Sequence, residues 1–387
     1  MASEVLSAPD FSTVDVSPAD SADACTIASP PPPVHVVDVV DRDRWNALVA
    51  QRPQYELEQG WAWGEVQREA GWTPHRYAAF RGAACVGAVS VTRRRLPGAP
   101  YSVLYASRGP LVDWSDEAAC RSLFLALRRL GAESRAIFLR VSPGVSYDDM
   151  VARTALVQHG FQALPDDWTT WNAPRVTMGM SLESDESALI RRLRRRVRQN
   201  IMAAAPRGLH VRLSQDRRDL AGFQRLLVAM GREKRYPVRR LERLEALWHA
   251  YVVRGEGTLV LVEREGALLA GLLGARLGRR ASLLCAAVVR DRENHPHGPA
   301  AYWAFVQWAK RGGCDSIDFG GSATQFPPRP TDEGFGLYRF KAGFGSELRY
   351  GAPYHDLIFH PRLYRLARAM EHRLLPRAWW LRARLNY

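Results

Sequence analysis

Apolar and polar positions along this chain alternate between two periods, and they do so in the same order twice. After an opening stretch with few large apolar side chains, Val34 begins a short apolar strand, and residues 42–49 have helical spacing. Residues 74–80 and 85–92 are β-rich runs joined by Arg81-Gly82-Ala83-Ala84, which predicts a hairpin, and a third run at 101–105 follows a turn at Pro97-Gly98. Ser115-Asp116-Glu117 then supplies an N-cap and first-turn acids for a helix whose Leu123, Leu127 and Leu130 share one face. Gly131 predicts its end, before a strand at 136–141.

The order recurs. Strands at 258–263, 267–277 and 281–289 are separated by turns at Arg264-Glu265-Gly266 and Gly278-Arg279-Arg280, then come a helix at 300–311, Gly312-Gly313 and a strand at 316–319. Such a repeat predicts a duplicated α/β unit. Residues 1–33, rich in Ser, Ala, Asp and Pro and ending in Pro30-Pro31-Pro32-Pro33, read as a disordered tail, because they have too little apolar surface to offset ordering entropy. The aromatics of the Trp61 and Trp63 segment are expected in the core rather than against a ligand.

Charge adds a statement about partners. The 387 residues carry 54 Lys and Arg against 40 Asp and Glu, a net charge of +14, so the surface attracts polyanions and anionic membranes. Between the two copies, Ser184 and Asp185 predict the start of one helix with Leu189, Leu193, Val197 and Ile201 on one face and Arg191, Arg192, Arg194, Arg195, Arg196 and Arg198 on the others. Clustered arginines without acids at i,i+4 point to nucleic-acid contact, and Arg192, Arg195, Arg196 and Arg198 are the expected tRNA-binding residues. A second cluster, Arg232, Lys234, Arg235, Arg239, Arg240 and Arg243, surrounds Tyr236-Pro237 and a helix at 241–252. Residues 362–387 mix seven arginines with Leu, Trp379 and Trp380. They predict a basic amphipathic helix, either touching an anionic membrane or packing on the first domain with its basic face in water.

Five widely spaced cysteines, Cys25, Cys85, Cys120, Cys285 and Cys314, give neither a disulfide framework nor a zinc ribbon, and read as reduced thiols. With no basic leader and no long apolar run, a cytoplasmic location is expected.

The candidate chemistry lies at 317–345. An apolar strand leads into Gly320-Gly321, and after a Pro-rich loop comes Gly336-Leu337-Tyr338-Arg339-Phe340-Lys341-Ala342-Gly343-Phe344-Gly345. Glycines around aromatics and a lysine predict an active-site edge, with Phe340 and Lys341 projecting into open space. The alternative is a glycine-rich bulge with a solvated lysine. His295-Pro296-His297-Gly298-Pro299-Ala300 occupies the place of a coenzyme A loop, but each proline deletes an N–H donor, so coenzyme A is not expected. The two histidines lack partners for a metal, and neither a metal nor a cofactor is expected.

Asp318-Phe319-Gly320-Gly321 followed by Gly336-Leu337-Tyr338-Arg339-Phe340-Lys341 resembles the Fem (FemABX) family of aminoacyl-tRNA-dependent peptidyltransferases. Three upstream stretches agree in order: Gln59-Gly60-Trp61-Ala62-Trp63-Gly64-Glu65-Val66 before Gly71-Trp72, Leu104-Tyr105-Ala106-Ser107-Arg108-Gly109-Pro110, and Arg198-Gln199-Asn200-Ile201 through Gly208-Leu209. The resemblance spans roughly residues 34 to 361. It implies two tandem acetyltransferase-like (GNAT-type) α/β domains: 34–180, completed by 346–387, and 181–345. No heptad-bearing insertion separates them, so no long coiled-coil arm is expected.

The resemblance also implies the chemistry. Phe340 would stack on a base at the tRNA 3′ end and Lys341 would set its charge against a phosphate or the tetrahedral oxyanion, as the catalytic pair. Arg240, with Arg239 next, would contact phosphates of a muramyl-peptide precursor, nucleotide-linked or lipid-linked. Gln67 or Arg68 replaces a phosphate-contacting lysine, and Tyr338, Gly320 and Gly321 complete the substrate site. Two departures stand out: Ser142, before Pro143, occupies the position of a proposed acidic base, and Leu283-Leu284-Cys285 lacks an aromatic wall. The expected function is aminoacyl transfer from aminoacyl-tRNA to an amine of a peptidoglycan stem peptide. The alternatives are tRNA-dependent transfer to a natural-product or other acceptor, a non-catalytic RNA-binding module, and, more weakly, a coenzyme-A-dependent acyltransferase.

Overall fold

The computed structural model describes residues 32–165, 174–234, 238–289, 296–322, 326–332 and 334–374. The tail at 1–31 with Cys25, residues Arg235, Tyr236, Pro237 and His295, and the C-terminal stretch 375–387 with Trp379 and Trp380 lie outside the described residues.

The first half contains β1 (Val34–Asp38), α1 (Arg42–Ala50), α2 (Trp61–Glu69), β2 (Thr73–Arg81), β3 (Ala84–Arg95), β4 (Ser102–Ser107), β5 (Leu111–Val112), α3 (Glu117–Glu133), β6 (Ala136–Ser142), α4 (Met150–Gln158) and β7 (Gln162–Ala163). The second contains β8 (Val176–Ser181), α5 (Glu186–Arg192), α6 (Arg195–Met202), β9 (His210–Ser214), α7 (Asp219–Lys234), α8 (Leu241–Leu247), β10 (Gly257–Arg264), β11 (Ala267–Leu277), β12 (Arg280–Val288), α9 (His297–Arg311), β13 (Ser316–Gly321) and α10 (Phe335–Ala342). It is followed by β14 (Glu347–Tyr350), β15 (His355–Ile358) and α11 (Pro361–Leu374).

Each half builds one sheet, in the orders β1-β2-β3-β4-β6-β15-β7 and β14-β8-β13-β12-β11-β10-β9, with β5 pairing β3. The repeated sequence pattern becomes a repeated topology: an antiparallel meander, then one parallel pair joined by a crossover helix. The pairs are β4 with β6 across α3, and β12 with β13 across α9. Strand β15 completes the first sheet from the far end of the chain by pairing β6.

Local chemistry explains most boundaries. Gly82 takes φ +59 in the predicted hairpin turn, and Asp116 accepts from the Ala119 N–H as the predicted cap of α3. Two expectations need correction. Helix α3 does not stop at Gly131 but runs to Glu133; the ring of Phe359 packs where a Cβ at Gly131 would be, so this glycine permits close packing. The arginine-rich segment is two short helices, because Leu193 and Arg194 are extended and the Arg194 N–H donates to Gly343 O at 2.9 Å.

One core runs through both halves. Trp45, Trp63 and Val66 of α1 and α2 pack with Phe223, Leu227, Leu244 and Leu261 of α7, α8 and β10. Trp63 is a core residue, as expected; Trp61 is half-buried, with the Arg76 guanidinium 3.6 Å from its ring centre. The first sheet is closed by α11, whose Leu363, Tyr364 and Ala367 pack on it. Arg140, fully buried, makes two bonds of 2.7 and 2.8 Å to fully buried Asp356 and a third of 3.0 Å to Glu371 of α11.

Candidate active site

The parallel pair of the second half opens into a V. Strand β12 runs to Val288 but pairs with β13 only over Arg280 to Ser282, opposite Ser316 to Asp318. Beyond that point no β12 residue pairs with Phe319, Gly320 or Gly321, although Leu283 O lies 3.5 Å from where a Cβ on Gly320 would be. Diverging carboxyl ends of parallel strands leave carbonyls that no ladder satisfies, which is where open α/β sheets bind ligands.

Lys341 fills this position. Its ammonium donates to Phe319 O at 2.7 Å, Gly320 O at 3.2 Å and Gly321 O at 2.6 Å, which occupies all three of its protons. It is 3 % exposed, and burial pulls its pKa down to about 8, with Asp318 partly opposing. The expected open projection is therefore corrected: the glycine-rich stretch is mostly helix α10, which follows its N-cap Gly334 (φ +88) and directs Lys341 inward. Phe340 is half-buried, edge-on to Tyr302 at 4.9 Å and to Phe344 at 5.4 Å. The close approach of α6 explains Gly343, where a Cβ would lie 2.7 Å from Val197.

A second group faces the junction between the halves. Glu56 and Glu58 flank buried Leu57 in a single 3-10 turn, and both share electrostatic coupling with Arg108 and Asp318. Burial pushes the Glu56 carboxyl up to about 7 against the opposing pull of Arg108, and pushes Glu58 up as well. Burial disfavours the Arg108 charge too, but Glu58, Glu56 and Asp318 outweigh it and raise its pKa. Arg108 has φ +54, its N–H donates to Ser142 Oγ at 3.1 Å, and its guanidinium donates to Pro174 O at 2.9 Å. A cavity of about 10 Å³, enough for one water, lies between Glu58, Gln67, Thr92, Tyr105 and Ser107.

Residues singled out in the sequence are distributed unevenly around this centre. Lys341, Gly320 and Gly321 touch one another, and Asp318 connects them electrostatically with Arg108 and the two glutamates. Gln67 is buried against the cavity, whereas Arg68 is exposed and paired with Glu65 at 2.9 Å. Arg239 is half-buried, donates to Leu284 O at 2.5 Å beside Cys285, and is coupled to Glu58. Arg240 is 67 % exposed and lies 3.4 Å from Glu242. Tyr338 stacks obliquely on Phe335. Arg192, Arg195 and Arg196 are exposed, Arg198 is half-buried, and none of the four pairs with a carboxylate among the described residues. Arg108 lies within a stretch that carries the family resemblance but that assigns it no role, and Glu56 and Glu58 carried no usable sequence signal: two acids around a leucine look like any surface turn. Among the described residues no three His, Cys, Asp or Glu side chains are placed to hold a metal ion.

Two sheets, each with a parallel pair joined by a crossover helix, the second pair splayed, define a tandem acetyltransferase-like protein. Consistent with that class, a tandem GNAT protein from the clavulanic acid biosynthesis pathway superposes with a TM-score of 0.52 at 14 % identity, over 84 % of this chain and 98 % of its own. The crystal structure of FemX superposes with a TM-score of 0.78 at 21 % identity, over 86 % and 99 %. The FemAB family model matches residues 40–264, and the chain belongs to the FemAB family. A lipid II:glycine glycyltransferase of Staphylococcus saprophyticus is 24 % identical over 397 residues, covering 85 % of this chain and 94 % of that protein. The Staphylococcus aureus protein of the same description is 22 % identical over 402 residues, with the same coverage.

Proposed function

We propose that this protein is an aminoacyltransferase that moves an amino acid from aminoacyl-tRNA to an amine of a lipid-linked muramyl peptide, as in the formation of a peptidoglycan bridge. The observation that carries the proposal is the correspondence with the two staphylococcal glycyltransferases over nearly the whole length of both chains. The site chemistry agrees with it. Attack of a neutral amine on the ester carbonyl forms a C–N bond, breaks the C–O bond to the ribose, and passes a proton from the amine to the departing oxygen. Catalysis then consists of holding the amine and stabilising the oxyanion.

In this reading Lys341 supplies the positive potential at the mouth of the V. Its 3.2 Å bond to Gly320 is the weakest of three and the one an oxyanion would replace. Glu56 and Glu58 receive and hold the acceptor ammonium before it loses its proton, and Arg239 and Arg108 face its phosphates. The exposed arginines of α5 and α6 take the tRNA backbone. The outer face of α11, with Leu366 and Met370 exposed beside Arg362 and Arg365, rests on an anionic membrane. No helix among the described residues is long and apolar enough to cross one.

Ser142 favours a second reading in which the acceptor differs. It is engaged in holding Arg108 and offers no base, so an acceptor whose own groups move the proton, such as a natural-product amine, suits the site equally well. Purified protein incubated with a pool of radiolabelled aminoacyl-tRNAs and either a lipid-linked or a nucleotide-linked muramyl pentapeptide tests both readings. Label in the peptide supports the first; label retained on tRNA with both acceptors refutes it.

A further inference from the structure

Outside the V, three chain segments converge to build a column of parallel aromatic rings. Tyr147 comes from the loop after β6, Tyr350 from the end of β14, and Phe326 from the segment after β13. The ring centres of Tyr147 and Tyr350 are 4.7 Å apart with planes at 24°, and those of Tyr350 and Phe326 are 4.7 Å apart at 7°. The stack is anchored by the backbone, since the Tyr147 N–H donates to Tyr350 O at 2.8 Å and Ser146 bridges to Gly351. Two guanidinium groups lie against it: Arg175 is 4.8 Å from the Tyr350 ring centre, and Arg153 is 5.0 Å from that of Tyr147.

The end of the column is open. Phe326 is 51 % exposed although its inner face is stacked, so a large apolar ring is presented to water at the tip of a rigid support. Stacked rings also occur where nothing binds, as Phe305 and Trp308 show. What sets this column apart is that its terminal ring is exposed while two guanidinium groups lie along the Tyr350 and Tyr147 part of it, an arrangement suited to a flat ring whose phosphates extend back along the column. Its position links it to the V. On β8, Val176 lies opposite Tyr350 and the next residue, Thr177, lies opposite Gly321, whose carbonyl Lys341 holds. The backbone of Tyr350, which carries the middle ring, is two strand spacings, about 10 Å, from that of Gly321.

We infer that Phe326, supported by Tyr350 and Tyr147, is a stacking platform for an unpaired nucleobase, with Arg153 and Arg175 providing charge for the attached phosphates. Two sources could supply the base: the unpaired 3′ extension of the tRNA in the proposed reaction, or the uracil of the acceptor where that acceptor is nucleotide-linked instead of lipid-linked. Only that choice of source rests on the transfer reading; the stacking itself does not.

The test uses Phe326→Leu and Phe326→Trp in the full chain, with thermal melts to show that both fold. Three probes without an aminoacyl ester are titrated: an acceptor-stem RNA hairpin with its unpaired 3′ extension, the same hairpin made blunt, and a nucleotide-linked muramyl peptide. Phe326→Leu should weaken the extended hairpin roughly 5- to 100-fold and leave the blunt one unchanged, while Phe326→Trp retains binding. A loss confined to the nucleotide-linked peptide keeps the platform and assigns it the uracil. Equal affinity of Phe326→Leu and wild type for both nucleotide-bearing probes, or no binding of either by wild type, overturns the inference. Because no probe carries an aminoacyl ester, base stacking is read without transfer, and a protein that stacks a base but transfers nothing would remove the transfer reading alone.

Discussion

The Lys341 ammonium lies 2.6 Å from the carbonyl oxygen of Gly321, the residue with which β13 ends. A buried lysine thus occupies the place where the parallel pair of the second sheet diverges. Lys341→Ala should lower transfer by about 100-fold or more while the protein still folds, since one preorganised charge at a developing oxyanion contributes that much. Near-wild-type turnover in single-turnover assays would remove Lys341 from the chemistry.

The same burial makes a pH prediction. The lysine titrates near 8 in the folded chain and near 10.5 once unfolded, so between those values the unfolded chain binds more protons and stability rises with pH. Comparing urea denaturation at pH 7.5 and 10, the wild type should gain on the order of 2 kcal/mol relative to Lys341→Met. Parallel pH profiles for the two proteins would contradict the buried, carbonyl-held placement.

Glu56 should act in the opposite sense. Its folded pKa near 7 lies above the unfolded value of 4.5, so its contribution is greatest below pH 4.5 and is lost as pH rises through 7. Glu56→Gln should therefore be more stable than wild type at pH 8, on the order of 2 kcal/mol, with the advantage vanishing near pH 4. If Glu56 also holds the acceptor ammonium, the variant raises KM for the acceptor without altering tRNA affinity.

Asp356 meets Arg140 with neither side chain exposed, and the pair ties β15 to β6 beneath α11. Asp356→Asn leaves a buried guanidinium with one carboxylate fewer and should cost about 3–5 kcal/mol. Glu371→Gln, at the margin of the same network with 12 % exposure, should cost distinctly less, and chemical denaturation of the two variants ranks them.

Replacing Arg192, Arg195, Arg196 and Arg198 together with Gln should weaken tRNA binding and flatten its dependence on salt. One phosphate per arginine corresponds to a loss of about 3 in the slope of log K against log salt. Because these side chains point away from the buried V, amide resonances or melting temperature should be little changed. An unaltered salt slope would move the RNA elsewhere on the surface.

Much of the fold was legible because its strands are apolar runs, alternating or continuously buried, bounded by turn residues, and several helices carry ordinary caps. Asp116 and Asp185 cap helices where spacing placed them, and the hairpin at Gly82 forms as read. Errors arose where a distant contact overrode a local rule. Gly131 resembles a helix stop, but Phe359, more than two hundred residues later, needs the space of its missing side chain. The arginine segment has the spacing of one helix, yet a carbonyl at Gly343 competes for the Arg194 N–H and breaks it.

The sequence by itself determined the duplicated α/β pattern, the family resemblance, the basic surface and the choice of Lys341 and its glycines as candidates, because each is written in neighbouring residues or in ordered motifs. Only the tertiary structure decided which way Lys341 faces, that Arg239 rather than Arg240 turns toward the junction, that Glu56 and Glu58 share a field with Arg108 and Asp318, and that Phe326, Tyr350 and Tyr147 stack. These relationships join residues far apart in the chain, and proximity across a sheet or between two halves depends on register and packing, which no local spacing records.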